Sequence, residues 1–379
     1  MARVPQRKRE LLAAGVDVID LGPGDADLLP PPAAQRRLAE AAAIPSMNRY
    51  GFGLGLVEFR EAVATWMGKR FGLRFDPMTE VVPLLGSKEG IAHLALGYVD
   101  PGQVTIVPEP GYNSYGGGTR LAGGEPYRYA LRPRTDFLVE LDDIPDDVLR
   151  RARILYLNYP NNPTGAIAPR DYLERTVARC RELDLLLVYD NAYSELAYDG
   201  YVPPSIFEID GARDVAVEFH SMSKTYNMTG WRCGWAVANP EIAATLARVK
   251  TFVDTGSFMA VQAAAVAAIA SYDEWVPNNV AVFQERRDAA VNAFREAGFE
   301  VQTPRATMYL WVPLPEGIPS ALFAQRMLDE AGVIVLAGSS FGEGGEGFFR
   351  VSFITGPERL AEAARRAGRV LQSLTAAVA

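Results

Sequence analysis

Near-continuous apolar runs alternate with helical patterns through the middle of the chain. The runs QVTIVPE (103–109), ARILYLNYP (152–160), LDLLLVYD (183–190), DVAVEFHS (214–221) and GWAVAN (234–239) read as buried strands. Between them, PRDYLERTVARCREL (169–183) and PEIAATLARVKTF (240–252) read as helices. Such an alternation predicts an α/β unit built on a mostly parallel sheet with helices on both faces. AVQAAAVAAIA (260–270) is too short to span a bilayer and predicts a buried helix. After about residue 275 the texture changes to an α+β pattern. A long helical stretch from Trp275 to Gly298 leads there to FEVQTP, TMYLWVPL, a helix near 320–331, GVIVLAG and GFFRVSFI. Ahead of everything, GPGDADLLPPPAA (22–34) predicts an extended arm, because each proline blocks regular structure.

Composition narrows the classes. A chain of 379 residues exceeds what one core usually serves, so two domains are expected. Its 49% hydrophobic and 22% charged fractions are those of a soluble globular protein, and a net charge of −8 gives no basic field for nucleic acid or anionic membrane. Two cysteines, Cys180 and Cys233, build no disulfide framework. The two histidines, His93 and His220, have no metal-ligand companion in sequence and are expected to be structural, with no metal. A reducing, cytoplasmic setting fits. The opening MARVPQRKRELLAAG has a basic flank, but its apolar stretch ends at Gly15 and Asp17, so it reads as a short surface helix. No low-complexity tract or fixed-period repeat is evident.

Ligand sites in open α/β sheets lie beyond the carboxyl ends of the strands. Three clusters fall there: Asn158 to Gly165, Asp190 to Tyr193, and His220 to Lys224. Asp190 closes an apolar strand, where a carboxylate must be paired or serve as a helix cap. Lys224 is one of five lysines in a chain that otherwise uses arginine. An ammonium can be tuned to a neutral amine and a guanidinium cannot, so an amine is kept where chemistry needs one. The alternative is a solvated helix-end lysine. Ser221, Ser223 and Arg232 suit a phosphate dianion. Gly86 and Ser87 precede a helix whose free N–H groups favour another anion contact. Neither this segment nor GFGLGL (51–56) matches a Walker or dinucleotide loop. A phosphate cradle, a buried aspartate for a ring cation and an imine-forming amine are together the needs of pyridoxal 5'-phosphate.

GSKEGIAHLAL, NYPNNPTGA, DNAYSEL and SKTYNMTGWR resemble the class I/II pyridoxal-phosphate aminotransferases of fold type I, in the branch containing LL-diaminopimelate and related aminotransferases. The resemblance runs from the arm to the final α+β unit. It implies a large α/β domain (41–276) and a small domain formed by the arm (1–40) and the C-terminal part (277–379). It also implies a homodimer with shared active sites. Lys224 would then form the imine with the cofactor and carry the proton, and Asp190 would pair with the ring nitrogen. Asn162 and Tyr193 would bond the ring's phenolic oxygen, Asn162 also bordering the substrate. Tyr112 would stack on the ring, and Ser87, Ser221, Ser223 and Arg232 would hold the phosphate. Tyr50 would reach the neighbouring subunit's phosphate. Arg350 would clamp the substrate α-carboxylate, and Gly24 would lie in the arm that closes over it.

Lys88 is open between the phosphate, the far carboxylate of an acidic substrate, and an exposed helix start. Arg350 could instead sit in a structural salt bridge or face solvent. Glu89 fits a first helical turn, where negative charge suits the dipole. Two departures from relatives, Ala26 and Asn113 where proline is frequent, touch only the arm and a loop. The implied activity is ping-pong transfer of an amino group from an L-amino acid to a 2-oxo acid, on diaminopimelate-like, aspartate/glutamate or alanine substrates. Carbon–sulfur lyases of the same fold share most of these residues and form the alternative. A nucleic-acid-binding regulator is disfavoured by the acidic charge and the lack of a winged-helix segment.

Overall fold

The structure is a computed structural model, and it describes residues 3–25, 27–51 and 55–378. Ala26 of the arm and 52–54 of GFGLGL lie outside the described residues. All five apolar runs of the middle region supply strands to one seven-stranded sheet. Its order is Val81–Leu84, Gly234–Ala238, Ala216–Ser221, Leu186–Asp190, Ala152–Leu157, Val104–Glu109, Glu125–Ala130. Only Gly234–Ala238 runs antiparallel to its neighbours, because the short helix and turn after Ser221 reverse the chain without a crossover.

Alternate residues serve the two faces. Ile154 and Tyr156 pack with Ile91, Leu94 and Leu246, while Leu155 and Leu157 pack with Phe59, Val63 and Leu173. Both faces are thus covered by helices, as near-continuous apolar strands require. The two strands absent from the sequence reading are the sheet's edges. Val81–Leu84 carries Pro83 and Glu125–Ala130 carries Pro126, and a missing N–H is tolerated at an edge.

A second core forms around a three-stranded antiparallel sheet in the order Leu336–Ala337, Phe348–Ser352, Tyr309–Pro313. Helices Ser320–Ala331 and Pro357–Val378 pack on it. GVIVLAG splits at Val335. Val333–Ile334 pairs in parallel with Ile19–Asp20, and Leu336–Ala337 pairs with Phe349 and Arg350. FEVQTP forms no strand. Phe299 and Val301 enter the core, and the Arg295 guanidinium takes the Val301 carbonyl at 2.7 and 2.9 Å, so that carbonyl is spent on a side chain.

The long helix starts earlier than expected, at Tyr272, and runs to Glu296. Its Val276 packs in the first core and its Phe283 and Phe294 in the second. The arm ends at Pro31, since Pro32 opens a helix to Ala42, where proline is tolerated in the first turn. Ala34 of that helix sits in the first core. The opening helix Arg3–Ala13 is not wholly on the surface: Leu11 is buried against Leu328 and Ile334. Among the described residues no helix is long and apolar enough to cross a membrane.

Candidate active site

A cavity of about 540 Å³ opens beyond the carboxyl ends of the strands, between the two cores. Gly24, Ser87, Lys88, Tyr112, Asn162, Asp190, Tyr193, Ser221, Ser223, Lys224, Arg232 and Arg350 all line it. Tyr50 does not line it; it is 70% exposed, just past the turn Pro45–Asn48.

Asp190 ends its strand inside the protein. Tyr115 donates its hydroxyl hydrogen to Oδ2 at 2.9 Å, while among the described residues the buried Oδ1 has no partner. Burial pushes the carboxyl up to about 6, against the Tyr115 hydrogen bond and the Ala192 N–H. It caps no helix, since the residues after it form turns. An unsatisfied carboxylate oxygen facing a cavity is costly and calls for a cationic or protonated partner.

Lys224 is presented by one helical turn, Met222–Thr225, which Ser221 caps by accepting the Ser223 N–H at 3.2 Å. The lysine is half-buried and its Nζ donates to the Gly24 carbonyl in the arm. It is not a solvated helix-end lysine. Gly24 is required by close approach, because a Cβ there would overlap the Tyr309 hydroxyl. That hydroxyl lies 3.0 Å from the Tyr193 hydroxyl. Burial would raise Tyr309, but the charges of Lys224 and Arg350 outweigh it and draw the phenol down.

Arg350 is 4% exposed and, among the described residues, pairs with no carboxylate. Nη1 donates to Asn162 Oδ1 at 2.7 Å and Nη2 to the Gly22 carbonyl at 2.6 Å, while the buried Nε has no partner among the described residues. The guanidinium lies 4.1 Å from the Tyr309 ring centroid and 4.9 Å from that of Phe341. Neither a salt bridge nor a solvent-facing position describes it. Asn162 is itself fixed, since its N–H donates to Asn158 Oδ1 at 2.8 Å. Asn158 in turn donates to the Asp190 carbonyl at 2.7 Å. One hydrogen-bonded chain therefore runs from the Asp190 backbone to the arginine.

At the other end, Ser87 begins the helix Ser87–Tyr98, whose N-terminal N–H groups favour an anion. Arg232 donates to the Thr229 and Leu85 carbonyls at 2.9 and 3.2 Å, which holds its guanidinium beside that helix start. Lys88 is exposed at the rim, its Nζ 5.8 Å from the Tyr112 ring centroid.

Sequence reading missed Tyr115, Asn158 and Tyr309. Asn158 sits inside a motif already singled out, but the two tyrosines occupy ordinary packing positions and carry no signal of their own. His220 stacks on Trp235 at 5.2 Å with Nε2 2.9 Å from Glu218, a packed structural group. His93, without companions in sequence, gains them in space. Glu89, His93 and Asp254 place possible ligand atoms within 4.8 Å of one another. The Lys250 ammonium, 2.7 Å from Glu89 and 3.1 Å from Asp254, already pairs with both carboxylates of that cluster.

Comparison with known proteins agrees with this geometry. The family model "Aminotransferase class I and II" matches residues 16–366. The chain belongs to this family. An LL-diaminopimelate aminotransferase of Moorella thermoacetica is 46% identical over 370 residues, 98% of this chain and 95% of that one. A probable N-succinyldiaminopimelate aminotransferase of Thermus thermophilus superposes with a TM-score of 0.91 at 38% identity, covering 97% of this chain and 99% of that one. A mutant Thermus thermophilus aspartate aminotransferase gives 0.90 at 29% identity, covering 98% and 96%.

The protein is thus a fold-type I aminotransferase that depends on pyridoxal 5'-phosphate. The carbon–sulfur lyase alternative is not favoured, because these relatives are named aminotransferases. The donor set fits the cofactor: an orphaned buried carboxylate oxygen, a half-buried amine, and hydroxyls with an arginine at a helix start.

Proposed function

We propose that this aminotransferase takes an amino acid of the diaminopimelate type, with Lys224, Asp190 and Arg350 as its central residues. The observation that carries the substrate is the 46% identity, over nearly the whole chain, to relatives named LL-diaminopimelate aminotransferase. Pyridoxal phosphate supplies an electron-accepting ring for the charge left on the substrate's α-carbon.

The chain's own residues do the rest. Lys224 would hold the cofactor through its amine, and that amine would carry the α-proton. Asp190 would keep a proton on the ring nitrogen, which would answer its unpartnered oxygen. Asn162 and Tyr193, which line the cavity, would hold the phenolic oxygen, and Tyr112 would cover the ring. Ser87, Ser221, Ser223 and Arg232 hold the phosphate. Arg350, oriented by Asn162, receives the α-carboxylate, and the arm at Gly24 closes over it. Lys88, exposed at the rim, meets the charged far end of the substrate.

The two cores correspond to two domains. The large one spans about 32–276, and the arm joins 277–379 in the small one. A homodimer is supported by exposed apolar residues around one helix start. Ile44, Tyr50 and Val57 flank the segment packed on Met259–Ala270, and Phe258 precedes that helix. Tyr50 there would serve the partner's phosphate. Both cysteines are buried free thiols, which fits a cytoplasmic enzyme.

A donor-by-acceptor panel tests the substrate. LL-diaminopimelate with 2-oxoglutarate should give the highest kcat/KM, with ping-pong kinetics. A preference of more than about tenfold for N-succinyldiaminopimelate, aspartate or alanine would replace this reading. Arg350→Lys keeps a charge but loses the fork, so kcat/KM should fall about 100-fold for every amino acid tested. Wild-type values in Arg350→Lys would remove the carboxylate clamp from the scheme.

A further inference from the structure

Glu109 ends the strand Val104–Glu109 and is 7% exposed, yet none of the roles above uses it. Its carboxylate reaches across to the second core. Oε1 accepts the N–H of Gly344 at 3.3 Å, and Oε2 is paired with the Arg128 guanidinium. Two residues along, the Gly111 N–H donates to the Phe341 carbonyl at 3.3 Å. The segment 338–345 is therefore strapped to the large sheet at two adjacent points.

The fit is close. Gly342 has φ +114, and a Cβ on it would collide with the Glu109 carboxylate. What the strap holds is Phe341, which lines the cavity, lies 4.9 Å from the Arg350 guanidinium and packs edge-on against Trp311 at 5.8 Å. From Glu109 the chain continues directly to Gly111 and Tyr112, which also line the cavity.

We propose that Glu109 is a positioning residue for the reaction: its carboxylate fixes the 338–345 segment so that Phe341 covers Arg350 and shapes the seat for the substrate carboxylate. This rests on Arg350 being that seat. Loss of the strap leaves the reacting groups in place but loosens the wall beside the guanidinium. The defect therefore falls on substrate binding, with the chemical step spared.

The test uses the cofactor-loaded enzyme, with LL-diaminopimelate and alanine each as donor. In Glu109→Ala, KM should rise about tenfold with kcat within about threefold of wild type. Amide exchange in the peptide 338–346 should quicken about tenfold, as expected for a lost tether. Glu109→Gln should recover part of both effects, because its amide oxygen still accepts the Gly344 N–H. Gly342→Ala perturbs the strap from the other side and should reproduce the alanine variant, which keeps the test open if Glu109→Ala does not fold.

Unchanged exchange, or faster exchange with unchanged KM, overturns the proposal. So does a fall in kcat at constant KM. Arg350→Ala with an unaltered KM removes the carboxylate seat and this inference with it. A raised KM in Arg350→Ala beside an unaltered one in Glu109→Ala overturns this inference alone.

Discussion

Lys224→Ala should retain less than about one ten-thousandth of wild-type turnover, and Lys224→Arg should do no better. The arginine variant is the sharper of the two. It keeps length and positive charge, so it can still reach toward the Gly24 carbonyl, but its guanidinium cannot supply a neutral amine. A failing arginine variant with near-normal amino-acid binding separates lost chemistry from lost contact with the arm. The measurement is a single turnover of cofactor-loaded protein with excess amino acid, reading the oxo acid released. Borohydride reduction followed by peptide mapping adds a direct check, since the cofactor should be fixed on the Lys224 peptide. More than about 1% residual turnover in Lys224→Arg would mean that another group carries the proton.

Asp190→Ala should cost about 1,000-fold in kcat/KM, the scale expected when one partner of a buried charge pair is removed. Its burial also makes a pH prediction for the cofactor-free protein. The carboxyl is pushed up to about 6 in the fold, above its ordinary range near 4 in an unfolded chain. Between those values the folded state holds a proton that the unfolded state has lost, so rising pH favours unfolding. Compared with Asp190→Asn, the wild-type protein should lose about 2 kcal/mol of stability as pH rises from about 4 to about 6. A protonated ring nitrogen beside the carboxylate reverses this by drawing the pKa down. Stabilisation by added cofactor should therefore grow across the same window. Parallel melting curves for the wild type and Asp190→Asn from pH 4 to 7 would show that Asp190 does not titrate there.

The parts of this architecture legible in the sequence are those where one physical requirement acts alone. Strands buried on both faces must be apolar throughout, so the five central runs stand out. Polar residues at their ends, such as Asp190 and Lys224, stand out by contrast. Edge strands obey a weaker rule, and Pro83 and Pro126 argue against the strands they belong to. The reversal of Gly234–Ala238 depends on how a short connection turns, which no periodicity records.

In the site, Tyr309 and Glu109 were illegible for a related reason. Each matters through a neighbour brought from far along the chain: Gly24 and Arg350 for the tyrosine, Gly344 for the glutamate. The arm's limit was misplaced because a run of prolines reads as a barrier, whereas its last member begins a helix.

The helix Tyr272–Glu296 has its first turns anchored beside the amine's sheet and its later turns beside the arginine's. Pro277 removes one rung from its ladder near the changeover, the usual place for such a rod to bend. A flexure of a few degrees there would swing Arg350 toward or away from Lys224 while every strand of both sheets kept its register. A closure hinged there would bring the two charges together around a substrate without any loop having to melt.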